Sequence, residues 1–358
     1  MKTPDIYAPR LEKLRDSFRK KAGGFLVFNL QNIRYLTGFS GSSGFLLTTI
    51  KRNFFVTDFR YKEQAEKEVK DWEIVVEKGN RIKIIEELSQ KSGIRRLGFE
   101  SSLSYHFYNK LRVTRLHLHA FNGLVEKLRE IKDTEEIRAI REAIRRAERS
   151  FHEVKPFIKR GVRECSVALR LEEKLKKNGS GHIPFDIIVA SGANSAMPHA
   201  RPTEKKINPG DLVIIDWGAE ADGYFSDMTR TILIKGDNLK KKKEIYDVVL
   251  KANKRAISKI VPEIKSNEID SYARGLIKKA GYGEFFGHGT GHGIGLQVHE
   301  SPRITWNKRE TLKENMVFTI EPGIYIPGLG GVRIEDVVRV GEKKCDILTS
   351  LPKELEIV

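Results

Sequence analysis

Four acidic residues stand where apolar strands are expected. Asp216 lies in LVIIDWGA, and Asp227 follows eleven residues on in YFSDMTRT, across an Ala-Asp-Gly turn. Glu321 lies in VFTIEPG, and Glu335 follows fourteen residues on in VRIED, across the segment PGLGG. A carboxylate among Val, Ile and Phe is costly to bury unless an opposite charge or hydrogen-bond donors accompany it. Any one of the four is as readily a turn cap or a salt-bridge partner. Four of them on two hairpins call for a shared positive partner, and one divalent cation satisfies several carboxylates at once.

Histidines accompany these acids. The segment GHGTGHGIGLQVHE at 287–300 holds His288, His292 and His299, three of the nine in the chain. Its glycines let the backbone approach another group closely, although a glycine–histidine stretch alone is also what a loop looks like. His199 lies in SGANSAMPHARP, after a strand expected at 187–190. Carboxylate-rich ligation with one imidazole suits manganese, iron or cobalt better than a structural zinc. The two cysteines, Cys165 and Cys345, exclude a disulfide framework and a cysteine-built zinc site. They make a reducing cytoplasm the expected compartment.

The elements that must position these residues fall into two groups. Short apolar runs predict strands over 24–30, 44–50, 53–58, 72–76, 96–100 and 117–121. Helices are expected over 61–69, 82–90 and 105–112, and the alternation predicts an α/β domain over residues 1–125. Asp133 and Glu136 form a capping-box pattern at the head of a helix whose apolar positions are Ile137, Ile140, Ile144, Ala147 and Phe151. The second domain, 126–358, has expected helices over 165–177, 244–260 and 268–280. Strand pairs are expected at 212–219 with 223–234 and at 316–326 with 332–340. That texture predicts an α+β unit, an antiparallel sheet covered by helices.

Composition bounds the rest. A chain of 358 residues fits two domains, and 39% hydrophobic residues exclude a disordered one. No run of eighteen apolar residues predicts a membrane span, and the opening MKTPDIYAPR lacks the apolar core of a secretory leader. Lysine and arginine total 65 against 48 acids, a net charge of +17, which can signal nucleic acid or an anionic surface. No basic stretch is interleaved with aromatics. A heavily charged surface, as in heat-adapted proteins, is the simpler reading, and neither nucleic acid nor membrane is an expected partner. The run Lys240 to Lys243 reads as a solvated loop or the exposed start of a helix.

As a set, DWGAEADGYFSDMTRT, GHGTGHGIGLQVHE, IEPGIY and VRIED resemble the motifs of the pita-bread metallopeptidases, which include methionine aminopeptidase, aminopeptidase P, prolidase and creatinase. The resemblance runs from about residue 130 to the C-terminus. The first domain and the stretch FDIIVASGANSAMPHARP are similar to the prolidase, aminopeptidase P and creatinase branch. The fold implied is an α/β N-terminal domain plus an α+β C-terminal pita-bread catalytic domain. The ligand order implied, Asp, Asp, His, Glu, Glu, is filled by Asp216, Asp227, His292, Glu321 and Glu335. His292 is chosen over His288 because it opens HGIG.

The activity implied is hydrolysis of the Xaa-Pro bond at the N-terminus of dipeptides or short peptides. It would use two divalent ions per chain: manganese, cobalt, iron or zinc. Asp227 and Glu335 would bridge the ions. Asp216 would complete one shell, and His292 and Glu321 the other. Glu321 is the implied base, and His299 the donor to the oxyanion. His199 would orient the scissile group or the proline side. His288 would shuttle protons or shape the proline pocket, or be a loop histidine bonded to backbone. Arg303, in VHESPR, would meet the substrate's terminal carboxylate. Arg333 would hold the site's carboxylates from behind, and Tyr325 would line the pocket or pack within its strand. A homodimer through the smaller domain is also implied. Two alternatives stay open: creatinase-like C–N hydrolysis, and a non-enzymatic pita-bread module for protein or nucleic acid. Modules of that second kind typically lose ligands, and none is lost here.

Overall fold

The computed structural model describes residues 6–358, which form two compact units, one through Arg129 and one from Glu130. Residues 1–5, half of the segment read above for a leader, lie outside the described residues.

The first unit runs α1 (Tyr7–Phe18), β1 (Gly24–Val27), α2 (Leu30–Thr37), β2 (Phe45–Thr49), β3 (Asn53–Thr57), α3 (Lys62–Glu68), β4 (Glu73–Val76), α4 (Arg81–Lys91), β5 (Arg96–Glu100), α5 (Tyr105–Leu111), β6 (His117–Phe121) and α6 (Leu124–Arg129). Its sheet has the order β4-β3-β2-β1-β5-β6. β2 pairs antiparallel with both β1 and β3, and the remaining ladders are parallel. All four residues of β1 are buried, as a central strand covered on both faces requires. The sequence reading carried the first strand to residue 30. It stops at Val27 because Asn29 caps α2, its side chain accepting from the Gln31 and Asn32 amides. Gly38, at φ +81°, then ends that helix in the left-handed region.

The second unit runs α7 (Thr134–Val154), α8 (Glu164–Lys177), β7 (Ile188–Ser191), β8 (Leu212–Trp217), β9 (Glu220–Ala221), β10 (Tyr224–Phe225), β11 (Met228–Leu233), α9 (Lys240–Ile257) and α10 (Ser266–Lys279). It continues with β12 (Gly291–Gly293), β13 (Glu300–Ile304), β14 (Val317–Ile320), β15 (Gly323–Ile326), β16 (Gly330–Arg333), β17 (Asp336–Val340), β18 (Cys345–Ile347) and β19 (Glu356–Ile357). The Asp133–Glu136 capping box is formed, and Ile137, Ile140, Ile144, Ala147 and Phe151 are buried along α7. This helix grips the strand that carries Asp216. Phe151 stacks on Trp217 at 4.4 Å between ring centroids, and Trp217 Nε1 donates to the Ala147 carbonyl at 3.0 Å. The lysine run opens α9.

Two sheets dominate this unit, with the orders β19-β11-β8-β7 and β13-β12-β14-β17-β18. All their ladders are antiparallel except β11 with β19. Two-stranded ribbons, β9 with β10 and β15 with β16, complete the set. Three stretches expected as single strands are each broken in two. The stretch 223–234 divides at Ser226–Asp227, 316–326 at Glu321–Pro322, and 332–340 at Ile334–Glu335. Pro322 has no N–H for a ladder, which accounts for the second break. The last two breaks lie opposite each other. Ile320 pairs with Asp336 on one side of them and Gly323 with Arg333 on the other. Three of the four strand acids of the sequence reading therefore sit where the chain leaves one sheet for another. No helix among the described residues is long and apolar enough to cross a membrane.

Candidate metal centre

The break positions aim their carboxylates at one point. Ligand atoms of Asp227, His292 and Glu335 all lie within 4.8 Å of one another. His292 Nε2 is 3.6 Å from Asp227 Oδ2 and 3.4 Å from Glu321 Oε1. Asp216 arrives from β8, directly opposite Thr229 in the ladder with β11. Asp227, His292 and Glu335 are 5%, 6% and 2% exposed, while Asp216 and Glu321 are half-buried. The five side chains assigned to ligation by resemblance thus come from two strand pairs and the glycine-rich loop.

Local chemistry explains how they are held. Gly291 and Gly293 flank His292 in β12, and a Cβ on either would overlap a backbone carbonyl, that of Thr319 or that of Ser301. Glycine is the residue that lets these strands close around the histidine. The His292 Nδ1 lies 3.2 Å from the Gly293 carbonyl. That side of the ring carries the proton, and the Nε2 lone pair faces the acids. The Thr229 hydroxyl donates to Glu335 Oε2 at 2.7 Å, and the Thr319 hydroxyl lies 3.3 Å from Glu321 Oε1. Arg333 donates to Asp216 Oδ2 at 2.6 Å, to the Tyr325 hydroxyl at 2.8 Å and to Thr229 Oγ1 at 3.1 Å.

One guanidinium does not balance four acids. Burial, and then repulsion from Glu335, Asp216 and Glu321, holds Asp227 well above the usual carboxylate range. Burial with Glu321 and Asp216 does the same to Glu335. Burial pushes Glu321 up to about 7 against the pull of Arg333. His292 is driven down to about 3 by burial and by His299 beside it, so it is neutral and able to coordinate. Burial alone would lower Arg333. Tyr325 and Asp216 outweigh it, and the guanidinium is held above its ordinary value. Asp216 Oδ1 and Asp227 Oδ1 are buried without a hydrogen-bond donor among the described residues. Unmatched carboxylates, two orphaned oxygens and a neutral imidazole together fit a divalent cation, which would supply the missing positive charge.

The remaining residues of the sequence reading surround the same cavity, of about 590 Å³, whose lining includes all four acids and the His292 imidazole. His199, His299 and Arg303 are exposed on its walls, with Lys308 beside them. His299 lies 4.2 Å from His292 between ring centroids. Burial and the nearby Arg303 lower its pKa, which favours the neutral imidazole with one N–H to donate. Arg303 sits opposite His292 in the β12–β13 ladder. Phe185, Ile187, Pro198 and Pro202 add an apolar side. His288 lines the cavity with both ring nitrogens engaged, Nδ1 at 2.8 Å from the Gly289 carbonyl and Nε2 at 2.9 Å from the Tyr325 hydroxyl. Burial and Arg333 lower it to about 4. Tyr325 is buried, its hydroxyl taken up by Arg333 and His288.

Residues that the sequence reading did not single out also build the site. Thr229 and Thr319 orient the glutamates, each two residues from an acid in its own strand segment. Arg274 on α10 donates to the carbonyls of Phe286 and His288 and pairs with buried Asp270, anchoring the loop that leads to His292. Only the short spacing of the threonines was visible beforehand, and it distinguishes nothing from ordinary strand threonine.

Residues 138–342 match the model of metallopeptidase family M24, and residues 10–131 that of the creatinase/prolidase N-terminal domain. The chain is 39% identical over 357 residues to an Xaa-Pro dipeptidase of Pyrococcus horikoshii, covering 98% of this chain and 99% of that one. Among solved structures it resembles an Xaa-Pro dipeptidase from Bacillus anthracis at 42% identity and a TM-score of 0.95, covering 98% of this chain and all of the other. It also resembles an X-Pro aminopeptidase from Thermotoga maritima at 36% identity and a TM-score of 0.88, with 96% and 100% covered.

Proposed function

The chain belongs to metallopeptidase family M24, and from that premise we propose that it hydrolyses the Xaa-Pro bond at the N-terminus of dipeptides or short peptides. The observation that carries the reading is the set of Asp216, Asp227, His292, Glu321 and Glu335 lining one cavity, four acids and a neutral imidazole against the single guanidinium of Arg333. These five would hold two divalent ions, with Asp227 and Glu335 shared between them. Such ions, when bound, lower the pKa of a coordinated water and polarise a carbonyl oxygen.

The protein's own groups do the rest. Glu321, a half-buried carboxylate facing the cavity, takes the proton of the attacking water and passes it to the leaving proline nitrogen. His299 donates its N–H to the oxygen on which negative charge develops. His199, which also lines the cavity, orients the scissile group. Arg303 on the rim meets the substrate's terminal carboxylate, a pairing that suits a guanidinium fork. His288 and Tyr325, locked to each other, shape the wall rather than move protons. Arg333 keeps Asp216 aimed at the site. The proline ring, which offers no N–H to a conventional subsite, has the apolar side formed by Phe185, Ile187, Pro198 and Pro202. A homodimer through the first domain and a cytoplasmic compartment belong to the same reading, the latter supported by two free cysteines.

The test is an assay of Gly-Pro against Gly-Pro-Gly with added manganese or cobalt. Turnover of the dipeptide above the tripeptide supports a dipeptidase, and the reverse an aminopeptidase. Cleavage of neither overturns the proposal.

A further inference from the structure

Behind the metal-facing glutamates, one buried amide spans both strand breaks. Asn253, on α9, is 0% exposed. Its Nδ2 donates to the Ile320 carbonyl at 3.0 Å and to the Ile334 carbonyl at 3.2 Å. Those two residues immediately precede Glu321 and Glu335. The Asn253 Oδ1 in turn accepts from Lys353 Nζ at 3.1 Å, and the same ammonium lies 2.9 Å from Asp336 Oδ2. Asp336 is ion-paired with Arg230 at 2.9 Å, and Arg230 donates to the Glu335 carbonyl at 2.6 Å. The backbone on both sides of Glu335 is therefore fixed by one closed polar network.

At the breaks the Glu321 and Glu335 amides bond to different neighbours, the Thr290 carbonyl at 2.8 Å and the Thr229 carbonyl at 3.1 Å, whereas the carbonyls of the two preceding residues meet at the one Asn253 amide. We propose that Asn253 is a positioning residue. By tying the Ile320 and Ile334 carbonyls to one amide group, it sets the separation of the Glu321 and Glu335 carboxylates and hence the affinity of the centre for its cations. Both donors of a single NH₂ are used, and its oxygen is oriented by Lys353, so the amide cannot flip without losing all three bonds. Supports of this kind outside the ligands commonly change metal affinity ~10–100-fold. The inference rests on the metal-site reading above.

The experiment titrates Mn²⁺ into the chelator-stripped full chain by calorimetry and records the thermal midpoint of the metal-free form. Asn253→Asp keeps the volume and removes both donors. Val249→Ala, in the same buried face of α9, leaves the donors and opens a cavity. Asn253→Asp is expected to weaken Mn²⁺ binding at least about tenfold, while Val249→Ala lowers the midpoint with Mn²⁺ affinity within about twofold of the parent. A smaller loss in Asn253→Asp, or an equal loss in Val249→Ala, overturns the inference by making the effect one of ordinary core packing. If Asn253→Asp does not fold, Lys353→Met, which frees the amide oxygen and also takes one cation from Asp336, carries the test, read against Asp336→Asn, which breaks that ion pair and leaves the amide bonded. A weaker Mn²⁺ site supports the inference, and unchanged affinity overturns it. A parent chain that binds no Mn²⁺ fails before any variant is compared, and that result takes down the metal reading itself.

Discussion

Glu335 and Asp336 are neighbours in the chain, 2% and 1% exposed, yet they belong to opposite electrostatic worlds. Asp336 faces Arg230 and Lys353 and accepts from the Thr349 hydroxyl at 2.8 Å. Burial would raise its pKa, but those cations win and hold it below its ordinary value. Glu335 faces Asp227, Glu321 and Asp216 and is held far above. Burial is the same, so burial is not what marks a functional acid. Strand alternation sends the two side chains to opposite sides of the backbone. One side was supplied with protein cations, and the other was left for something else to complete. A buried acid matched by the chain's own charges is structure, whereas one left unmatched beside a neutral imidazole is a candidate ligand.

The sharpest way to break this comparison is at Glu335. Glu335→Ala should reduce Xaa-Pro hydrolysis to background and remove bound manganese, measured by elemental analysis, with far-UV circular dichroism unchanged. Parental turnover by that variant would end the shared-ligand role. His299→Ala should lower kcat by ~10²–10³, as for loss of an oxyanion donor, while manganese stoichiometry holds. Loss of metal in that variant would move His299 from the substrate side to the ligand side.

The paired cluster should respond in stability rather than in chemistry. Asp336→Ala leaves buried Arg230 and half-buried Lys353 without their carboxylate and should cost ~3–5 kcal/mol in urea unfolding. Glu335→Ala in the metal-free chain should cost far less, because it also relieves repulsion. Equal costs would erase the distinction between the two sides of the strand.

The smallest and most diagnostic effect is in pH. Glu321 is raised from 4.5 to about 7, so between those values the folded metal-free chain binds more protons than the unfolded one. Its stability is lost as pH rises through that window. Asp336 is lowered from 3.8, and its contribution is present above that value and lost as pH falls through the folded pKa. His292 and His288, lowered to about 3 and about 4, act in the opposite sense below 6.5. The Glu321 contribution is therefore read as a difference: the melting midpoint of the metal-free parent minus that of Glu321→Gln should fall from pH 4.5 to 7, and saturating manganese should flatten that slope. Parallel curves with and without metal would show that the raised acids do not face the cation.

Much of this was open to the sequence. The capping box at Asp133 and Glu136, the strands around Asp216, and the acids at spacings of eleven and fourteen are local facts, set by propensity, pairing and the cost of burying charge. The glycines around His292 announced a close approach without saying to what. The helix at 30–37 was hidden because Asn29 reads equally as a strand end and as a cap, and tertiary packing makes the choice.

What the sequence determined by itself was the inventory: which residue types recur at strand spacing, and that carboxylates and an imidazole without matching cations imply a missing positive charge. Only the tertiary structure decided where the strands without a proline break, that the two glutamate breaks lie face to face, and that Asp336 turns to Arg230 and Lys353 while Glu335 does not. The physical reason is range. Propensity and alternation act over a few residues, whereas the partners of these acids lie more than ten positions away and some more than 100, as with Thr229 and Glu335 or Arg230 and Asp336. A charge's environment is a property of the folded volume around it, which no stretch of chain contains.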